Sequence, residues 1–342
     1  MSEAQGNTAK RSVGAFATPA SKWRYWRLLT GLAVLACCCV AGLLSYGNPM
    51  DFGTPGYWLI AQRRLSAVTA MAVVALCQAV ATVAFQTVTN NRIITPSIMG
   101  FESLYVAIHT ASVYFLGATG LLSSRTLTMF LFQIAVMVGL SLLLYTWLLT
   151  DRDANMHAML LVGIVIGGGL GSVSTFMQRM LTPSEFDVLT ARLFGSVNNA
   201  DPAYYPVAIP LVLIAATLIV ANSRRLNVLS LGCAAATGLG VHFRAHAIYT
   251  LVLVAVLMAV STALVGPMTF LGFLVATLAY QFTESYDHRF IFPMAVLLAF
   301  CVLSGAYFVM NHVFYAQGVV SIIIELVGGL TFLAVILRKG HL

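Results

Sequence analysis

The sequence carries little charge for its length. Of its 342 residues only 8% are Asp, Glu, Lys or Arg, whereas 60% are hydrophobic and the mean hydropathy is +0.90. A soluble domain has roughly 25% charged residues, so this chain lacks the polar surface that a water-soluble core needs. The alternation of apolar and polar residues that spanning β-barrels need is also missing. These absences predict an all-α integral membrane protein.

Lysine is scarce, and its positions exclude one kind of nucleotide site. The lysines are Lys10, Lys22 and Lys339, all near the ends, and no Gly-x-x-x-x-Gly-Lys-Ser/Thr motif is present. A phosphate-binding loop of that type needs its lysine. We therefore expect no cofactor on this chain itself. If transport is driven by ATP, a separate ATPase subunit must bind the ATP and Mg²⁺.

Spacings typical of metal sites and catalytic sites are missing as well. The six cysteines lie mostly within apolar runs, where they read as small hydrophobic residues. His242 and His246 are four residues apart, but no carboxylate or cysteine completes a ligand set, so we predict no metal site. No nucleophile–base pair or catalytic carboxylate pair is found. An intramembrane enzyme is therefore the least favoured alternative.

Apolar runs long enough to cross a bilayer, about 20 residues each, recur along the chain. They predict a polytopic bundle of about ten transmembrane helices over residues 27–342, preceded by a flexible cytoplasmic tail, residues 1–26. The predicted spans are 27–46, 65–85, 97–116, 126–148, 157–177, 204–221, 247–266, 269–283, 290–310 and 319–337. With the N-terminus inside, thirteen of the 18 Lys and Arg residues face the cytoplasm, so both termini are predicted to be cytoplasmic.

Two stretches fit neither a simple span nor a simple loop. Residues 86–100 include Asn90, Asn91 and Pro96 and are too polar for lipid, although spans flank them on both sides. Irregular backbone at membrane depth is tolerated only where protein or a water-filled cavity satisfies it. Residues 222–246 form a basic loop around an amphipathic segment. We predict one or two short helices there, lying at the cytoplasmic surface.

Polar and small residues inside the predicted spans are candidates for a pathway. Glu102 and His109 are seven residues apart on roughly one face of the third span, and Glu325 lies in the last span. Ionisable groups in a bilayer mark a cavity or a polar partner by default, although a structural hydrogen bond between helices also explains them. The fifth span repeats Gly163, Gly167 and Gly171. This spacing fits close helix packing within the chain or a face that lines a pathway or meets a partner.

Four segments, in order along the chain, resemble the iron–siderophore permease family, which also includes the cobalamin importer permease. The first segment comprises Arg64-Leu65-Ser66, Gln86 and Asn90 to Gly100, and the second comprises Arg224 to Gly232 with Ala236, Leu239 and Gly240. The third segment comprises Gly266 to Gly272 with Asp287-His288-Arg289. The fourth comprises Gly318 to Ser321 with Gly328, Phe332 and Arg338. The resemblance implies the permease fold of a type II ATP-binding-cassette (ABC) importer in the cell inner membrane, working by alternating access.

The resemblance also implies partners and site residues. The partners are a second permease, two ATPase subunits and a periplasmic or lipid-anchored siderophore-binding protein that docks on the outer face; no nucleic acid is expected. Arg64, with Arg63 as a possible substitute, would contact the binding protein. The short helices of residues 222–246 would couple to the ATPase. Their coupling residues would be Arg225, Leu226, Asn227, Leu229, Leu231, Gly232, Ala236, Leu239 and Gly240.

Three departures from the family pattern affect these expectations. Cys233 stands where many members have glutamate, Ala67 where they have a second docking arginine, and Ala276-Thr277 where they have Pro-His. The string from Thr95 to Tyr105 resembles the branch that handles ferric catecholate-type siderophores, in which two different permeases usually pair. Cobalamin or haem remains an alternative cargo. An ion-coupled secondary transporter, with Glu102 or Glu325 carrying the proton, remains an alternative mechanism.

Overall fold

The computed structural model describes residues 14–123, 126–149, 156–312 and 320–339, which are helical with short connections and contain no strand. Ten long helices match the ten predicted spans, and three shorter ones, α6, α8 and α9, lie between them. The helices are α1 Pro19–Ser45, α2 Pro55–Val88, α3 Phe101–Ser123, α4 Leu127–Leu149, α5 Met156–Arg179, α6 Pro183–Leu193, α7 Tyr205–Ala221, α8 Ser223–Leu229, α9 Cys233–Gly238, α10 Phe243–Val265, α11 Leu271–Thr283, α12 His288–His312 and α13 Val320–Lys339.

The start of α1 corrects the predicted boundary of the tail. Residues 19–26 are helical, because Thr18 caps the helix and Pro19 occupies its first turn. The Thr18 hydroxyl accepts a hydrogen bond from the Ser21 amide at 3.2 Å, and the Ser21 hydroxyl bonds back to the Thr18 carbonyl at 2.7 Å. A polar composition concealed this start, since the first helical turns lie before the apolar run begins.

Among the described residues, six helices are long and apolar enough to cross a membrane: α1, α2, α5, α7 with its preceding turn, α10 and α12. Shorter apolar helical stretches cover 127–143, 271–283 and 320–334. The 34 residues of α2 span about 51 Å at 1.5 Å each, more than the roughly 30 Å hydrocarbon layer. This helix is buried along most of its length, so it is the central helix of the bundle.

The bundle has two ends with different connections. One end, which we call the α8 end, brings together α8 and α9, the last turn of α2 and the first turn of α12. At this end Arg24 near the start of α1 pairs with Glu284 after α11 at 2.8 Å. The other end, which we call the opposite end, holds the end of α1, the starts of α2 and α7, and the short helix α6. There Tyr205 of α7 donates its hydroxyl to the Ser66 carbonyl of α2 at 2.8 Å.

Close backbone contact joins the helices at the opposite end. A Cβ atom on Gly195, after α6, would lie 2.0 Å from the Pro267 carbonyl oxygen, so only glycine fits. The Ser196 amide donates to the Val265 carbonyl at 2.8 Å, and the Ser321 amide donates to the Gly195 carbonyl at 3.2 Å. Two segments that are distant in the sequence therefore meet at Gly195: the end of α10 with the turn after it, and the start of α13.

Candidate coupling site

The amphipathic loop of residues 222–246 forms two short helices, as predicted. Gly232, with φ of +91°, separates α8 from α9, and Gly240, with φ of +78°, follows α9. Glycine adopts these left-handed angles without a steric penalty. Leu226, Leu229 and Ala236 are buried and fix both helices to the bundle. The pair is therefore a rigid element at the surface and not a flexible loop.

The outward side of this element is apolar at two predicted positions. Leu231 and Leu239 are 59% and 63% exposed, and the exposed Cys233 lies between them. A Cβ atom added at Gly232 or Gly240 would meet nothing within 4 Å. Arg225 is also exposed and donates to the Asn222 side chain at 3.3 Å. The predicted coupling residues thus divide into a buried set that anchors the helices and an exposed set that is free for contact.

Asn227 on α8 connects the short helix to the start of α12. Its Nδ2 donates to Asp287 Oδ1 at 3.1 Å, and its Oδ1 accepts from the His288 backbone amide at 3.0 Å. The same oxygen lies 2.5 Å from His288 Nδ1. Because one side chain satisfies several groups on another element, movement of α8 must either carry the start of α12 with it or break these bonds.

His288 extends the connection to the central helix. Its Nε2 lies 2.6 Å from the Thr87 hydroxyl near the end of α2, and both side chains are buried. The Thr87 hydroxyl also lies 2.8 Å from the Val83 carbonyl, to which it can donate. The chain of contacts therefore runs from α8 through Asn227 and His288 into α2. The sequence predicted that the short helices connect directly to the sixth and seventh spans, which are α7 and α10. It did not predict their contact with α2 and α12.

Asp287 is held ionised by its neighbours. Partial burial raises the pKa of its carboxyl group, but hydrogen bonds from Arg289 and Asn227 outweigh that effect and lower the pKa to about 2. The Arg289 guanidinium contacts Asp287 Oδ2 at 2.6 Å. A carboxylate in this state accepts the Asn227 hydrogen bond at all physiological pH values.

A cavity of about 560 Å³ opens beside this network at the α8 end. Its walls include Asn227, Asp287 and His288, together with Asn90 and Arg92 from the polar stretch after α2. The Arg92 guanidinium lies 4.6 Å from the centre of the Tyr280 ring, within range of a cation–π contact. The remaining lining residues are Gly14, Ala15, Gln86, Thr87, Ser230, Leu231, Tyr280, Tyr286 and Ile291.

Local hydrogen bonds pair several backbone groups of the polar stretch, residues 86–100, as irregular structure beside a membrane requires. Gln86 donates to the Arg92 carbonyl at 2.8 Å, and the Asn91 side chain accepts from the Ile93 amide at 2.9 Å. Asn90 adopts a left-handed φ of +49°, and Pro96 begins a short 3₁₀ helix, Ser97–Met99. Asn90 therefore faces the cavity at the α8 end, and the pathway role predicted for these residues stays a prediction.

The glycine repeat of α5 is split between packing and exposure. Gly163 and Gly167 lie against Met99 and Gly100, so an added Cβ would come within about 3.0 Å of them. Gly171 has nothing within 4 Å, and Phe176 beyond it is 66% exposed. Close packing within the chain explains the first two glycines. The exposed half of the helix is where a pathway or a partner could lie.

The ionisable residues of the spans lie on α3 and α13. Glu102 Oε2 accepts a hydrogen bond from the Thr269 hydroxyl, which ties α3 to the turn before α11. His109 packs its ring 4.3 Å from Tyr105 and lines a small pocket with Gln133. Glu325 is exposed among leucines on α13. The structure therefore does not bring Glu102 and His109 into one site, and it leaves Glu325 facing outward.

The two arginines predicted to dock a binding protein differ sharply. Arg64 donates to the backbone carbonyls of Tyr46 at 2.6 Å, Gly47 at 3.0 Å and Leu43 at 3.3 Å. It therefore caps the end of α1. Arg63 is exposed on α2 at the same end. Of the two, Arg63 has the geometry of a contact residue, and Arg64 has that of a structural one.

The network residues Thr87, Asp287 and His288 were not predicted as site residues. Asp287 and His288 were part of the family resemblance, without a role. A signal was present, since three polar residues, Asp287-His288-Arg289, directly precede a long apolar run. Within the described ranges, no group of three or more His, Cys, Asp or Glu side chains is arranged to hold a metal ion. His242 and His246 are therefore not part of such a group.

Comparison with known proteins agrees with this architecture. The model of the FecCD transport family matches residues 24–338. The chain is 56% identical to the petrobactin import system permease protein FatC of Bacillus anthracis, covering 97% of this chain and 94% of the relative. It is 35% identical to the petrobactin import system permease protein YclO of Bacillus subtilis, covering 92% and 96%. It is also similar to FatD, a petrobactin import system permease of Bacillus anthracis, at 22% identity over 81% and 80%.

A solved structure supports the fold independently. A chain of a metal-chelate type ABC transporter in an inward-facing conformation superposes with a TM-score of 0.75 at 21% identity, covering 92% of this chain and 99% of that one. The family that the four segments suggested is confirmed by the family model and by these relatives. The chain belongs to the FecCD transport family, as a membrane permease subunit and not an enzyme.

Proposed function

We propose that this chain is one permease subunit of an ATP-driven importer that carries a ferric siderophore of the petrobactin type across the cytoplasmic membrane. The 56% identity to a petrobactin permease, extending over nearly the whole of both chains, carries the proposal. Both termini lie in the cytoplasm in this arrangement, because the basic residues of the α8 end then face inward.

ATP would be bound and hydrolysed with Mg²⁺ by two ATPase subunits that contact α8 and α9. Leu231 and Leu239 offer an exposed apolar contact there, and the buried Leu226 and Leu229 hold the helices firmly. Because this helix pair is short and packed against the bundle, a displacement imposed by the ATPase would be transmitted to the bundle without bending the pair. The Asn227–His288–Thr87 contacts then carry the movement into α12 and α2. Movement of these two helices would open the pathway alternately to the two sides of the membrane.

A second permease would cover the exposed faces of α5 and α13. Glu325 is exposed on α13 beside Leu326 and Leu330, and a carboxyl group that faces lipid is energetically costly. A protein partner or a water-filled pathway removes that cost. FatC and FatD, two petrobactin permeases from one organism, are both similar to this chain, which favours a pair of different permeases. A siderophore-binding protein would dock at the opposite end, near Arg63.

The test is uptake of radiolabelled ferric petrobactin into proteoliposomes that contain this chain with its co-purified partners. We expect uptake to require internal ATP and an external binding protein, and to be unaffected by excess cobalamin or haem. Competition by either of those cargoes would overturn the siderophore assignment. Uptake driven by a proton gradient without an ATPase would overturn the importer mechanism and direct attention to Glu102 and Glu325.

A single substitution tests the ATPase contact. Leu231→Asp places a charge on an exposed apolar site, so the permease should fold normally but lose the ATPase during purification. Thr237→Ala on α9 is the matched control, since the Thr237 hydroxyl bonds a carbonyl of its own helix at 2.8 Å. Normal ATPase content with Leu231→Asp would contradict the coupling role of this surface.

A further inference from the structure

The residues just before α1 form a segment with no role in the mechanism described so far. Residues Gly14–Thr18, which we call the N-terminal strap, lie against residues 284–290, which comprise the turn between α11 and α12 and the first residues of α12. Phe16 is only 7% exposed, and its ring lies 4.8 Å from that of Phe290 and 5.3 Å from that of Tyr25. An aromatic side chain buried in such a cluster contributes strongly to local order. The strap is therefore a packed part of the α8 end.

Polar contacts attach the strap and the second turn of α1 to the same residues. The Ser285 hydroxyl donates to the Ala15 carbonyl at 2.6 Å, and the Tyr25 hydroxyl donates to the Phe290 carbonyl at 3.0 Å. Arg24 pairs with Glu284, whose φ of +47° is left-handed. A non-glycine residue at such an angle needs support from its surroundings. The strap and α1 supply that support on one side of the turn.

The other side of the turn is the coupling network. Ser285 Oγ, which bonds the strap, also accepts a hydrogen bond from the Asp287 amide at 3.2 Å. Asp287 and the adjacent His288 then contact Asn227 on α8. One hydroxyl group thus stands between the strap and the residues that hold α8. Ala15 and Asn227 also line the same cavity.

We propose that the N-terminal strap positions residues 284–288 so that Asp287 and His288 keep their hydrogen bonds with Asn227. Phe16 and Ser285 are positioning residues in this assignment, acting through the turn and touching neither cargo nor ATPase. The strap thereby determines how much of the movement of α8 reaches α12. This inference rests on the proposed importer function, but its structural step, from strap to α8, can be measured separately.

The structural step is tested by hydrogen–deuterium exchange on the purified importer complex. Phe16→Ala removes the buried ring, Phe16→Leu keeps an apolar side chain there, and Trp23→Ala is the control because Trp23 is 71% exposed on α1. We expect Phe16→Ala to raise exchange at least threefold in both 284–290 and 223–229, and Phe16→Leu to restore much of the protection. Faster exchange at 284–290 with no change in 223–229 would overturn the proposal.

The functional step is tested by uptake per ATP hydrolysed. Ser285→Ala removes one hydroxyl, so the complex should assemble normally and keep its basal ATP hydrolysis within twofold, while uptake per ATP falls at least fivefold. In an Asn227→Ala background, Ser285→Ala should cause no further loss. A full additional loss, an unchanged ratio, or a loss that only follows the amount of complex would each overturn the proposal.

Failure of the importer function itself would give a different pattern. If the parent complex showed no ATP-dependent uptake, the function proposed above would be refuted. The exchange measurement would still decide whether the strap controls α8, since it needs no transport. Transport in the parent with unaltered exchange in Phe16→Ala would refute the strap alone.

Discussion

The two ends of the bundle are joined by different chemistry. At the opposite end direct backbone contacts stand beside the side-chain bonds of Tyr205 and Arg64: Gly195 fits against the Pro267 carbonyl, and amides bond carbonyls of distant segments. At the α8 end the contacts are between side chains, through Asn227, His288 and Thr87. Backbone contact leaves few alternative arrangements, whereas hydrogen-bonded side chains can exchange partners. The difference predicts that the opposite end is fixed and that the α8 end is able to move.

The strongest test of the fixed end is Gly195→Ala. The new methyl group would lie 2.0 Å from a carbonyl oxygen, so segments of the backbone must separate. Overpacking at a tight site typically costs up to about 3 kcal/mol. We expect a much reduced yield of folded protein and a lower Tm in detergent, measured by size-exclusion chromatography after heating. Gly171→Ala, where nothing lies within 4 Å, is the control and should behave like the parent. Equal stability of the two variants would contradict a close-packed end.

The end that moves should respond differently, with function lost before folding. Asn227→Ala removes bonds to Asp287 and His288, and each polar group left unsatisfied costs about 1–3 kcal/mol when buried. We expect a moderate drop in Tm but at least a tenfold loss of ATP-driven uptake in proteoliposomes. Thr237→Ala should retain uptake. If the loss of uptake in Asn227→Ala were explained by its loss of folded protein, the proposed difference between a fixed end and a moving end would be contradicted.

Acidification offers a graded test of the α8 end. The pKa of Asp287 is lowered from its ordinary value of 3.8 to about 2, so its contribution is complete above about pH 4 and is lost as the pH falls toward 2. A shift of that size corresponds to about 2 kcal/mol. The Tm of the parent should therefore fall more steeply between pH 4 and pH 2 than that of Asp287→Asn. Parallel curves for the two proteins would show that the carboxylate is not held by its neighbours.

Much of this arrangement could be predicted from the sequence, and the failures have physical causes. The ten long helices follow from apolar runs, because burial in lipid is a local property of composition. The start of α1 was placed too late, since capping by Thr18 occurs in a polar context that hydropathy overlooks. The amphipathic helix α6 was missed for the same reason. It has a capping box at Thr182 and Glu185 but no apolar run.

The network at the α8 end was beyond prediction because its partners are distant in the sequence. Asn227 meets His288 across 61 positions, and His288 meets Thr87 across 201. No local sequence pattern around Asn227, His288 or Thr87 indicates which residue each side chain contacts. The resemblance to a family identified Asn227 and the Asp-His-Arg string separately. Only the fold shows that the two belong to one contact.

Arg64 makes contacts that the sequence did not indicate, while its docking role stays a prediction. The family resemblance assigned it to docking, yet its guanidinium group donates to carbonyls of Leu43, Tyr46 and Gly47 at the end of α1. Those acceptors lie 17 to 21 residues earlier, and no sequence pattern reveals that the helix ends beside it. Docking by Arg63, which is exposed one position earlier, remains a prediction.

The smallest expected effect separates these two arginines and extends the contrast to the surface of the opposite end. Arg64→Lys keeps the charge but loses the planar group that reaches several carbonyls, so we expect a fall in stability of about 1 kcal/mol and little change in affinity for the binding protein. Arg63→Ala should leave the Tm unchanged and weaken binding severalfold, measured by surface plasmon resonance on nanodisc-embedded importer. If Arg64→Lys instead weakened binding without a loss of stability, Arg64 would be the docking residue. The opposite end would then also depend on an exchangeable side-chain contact.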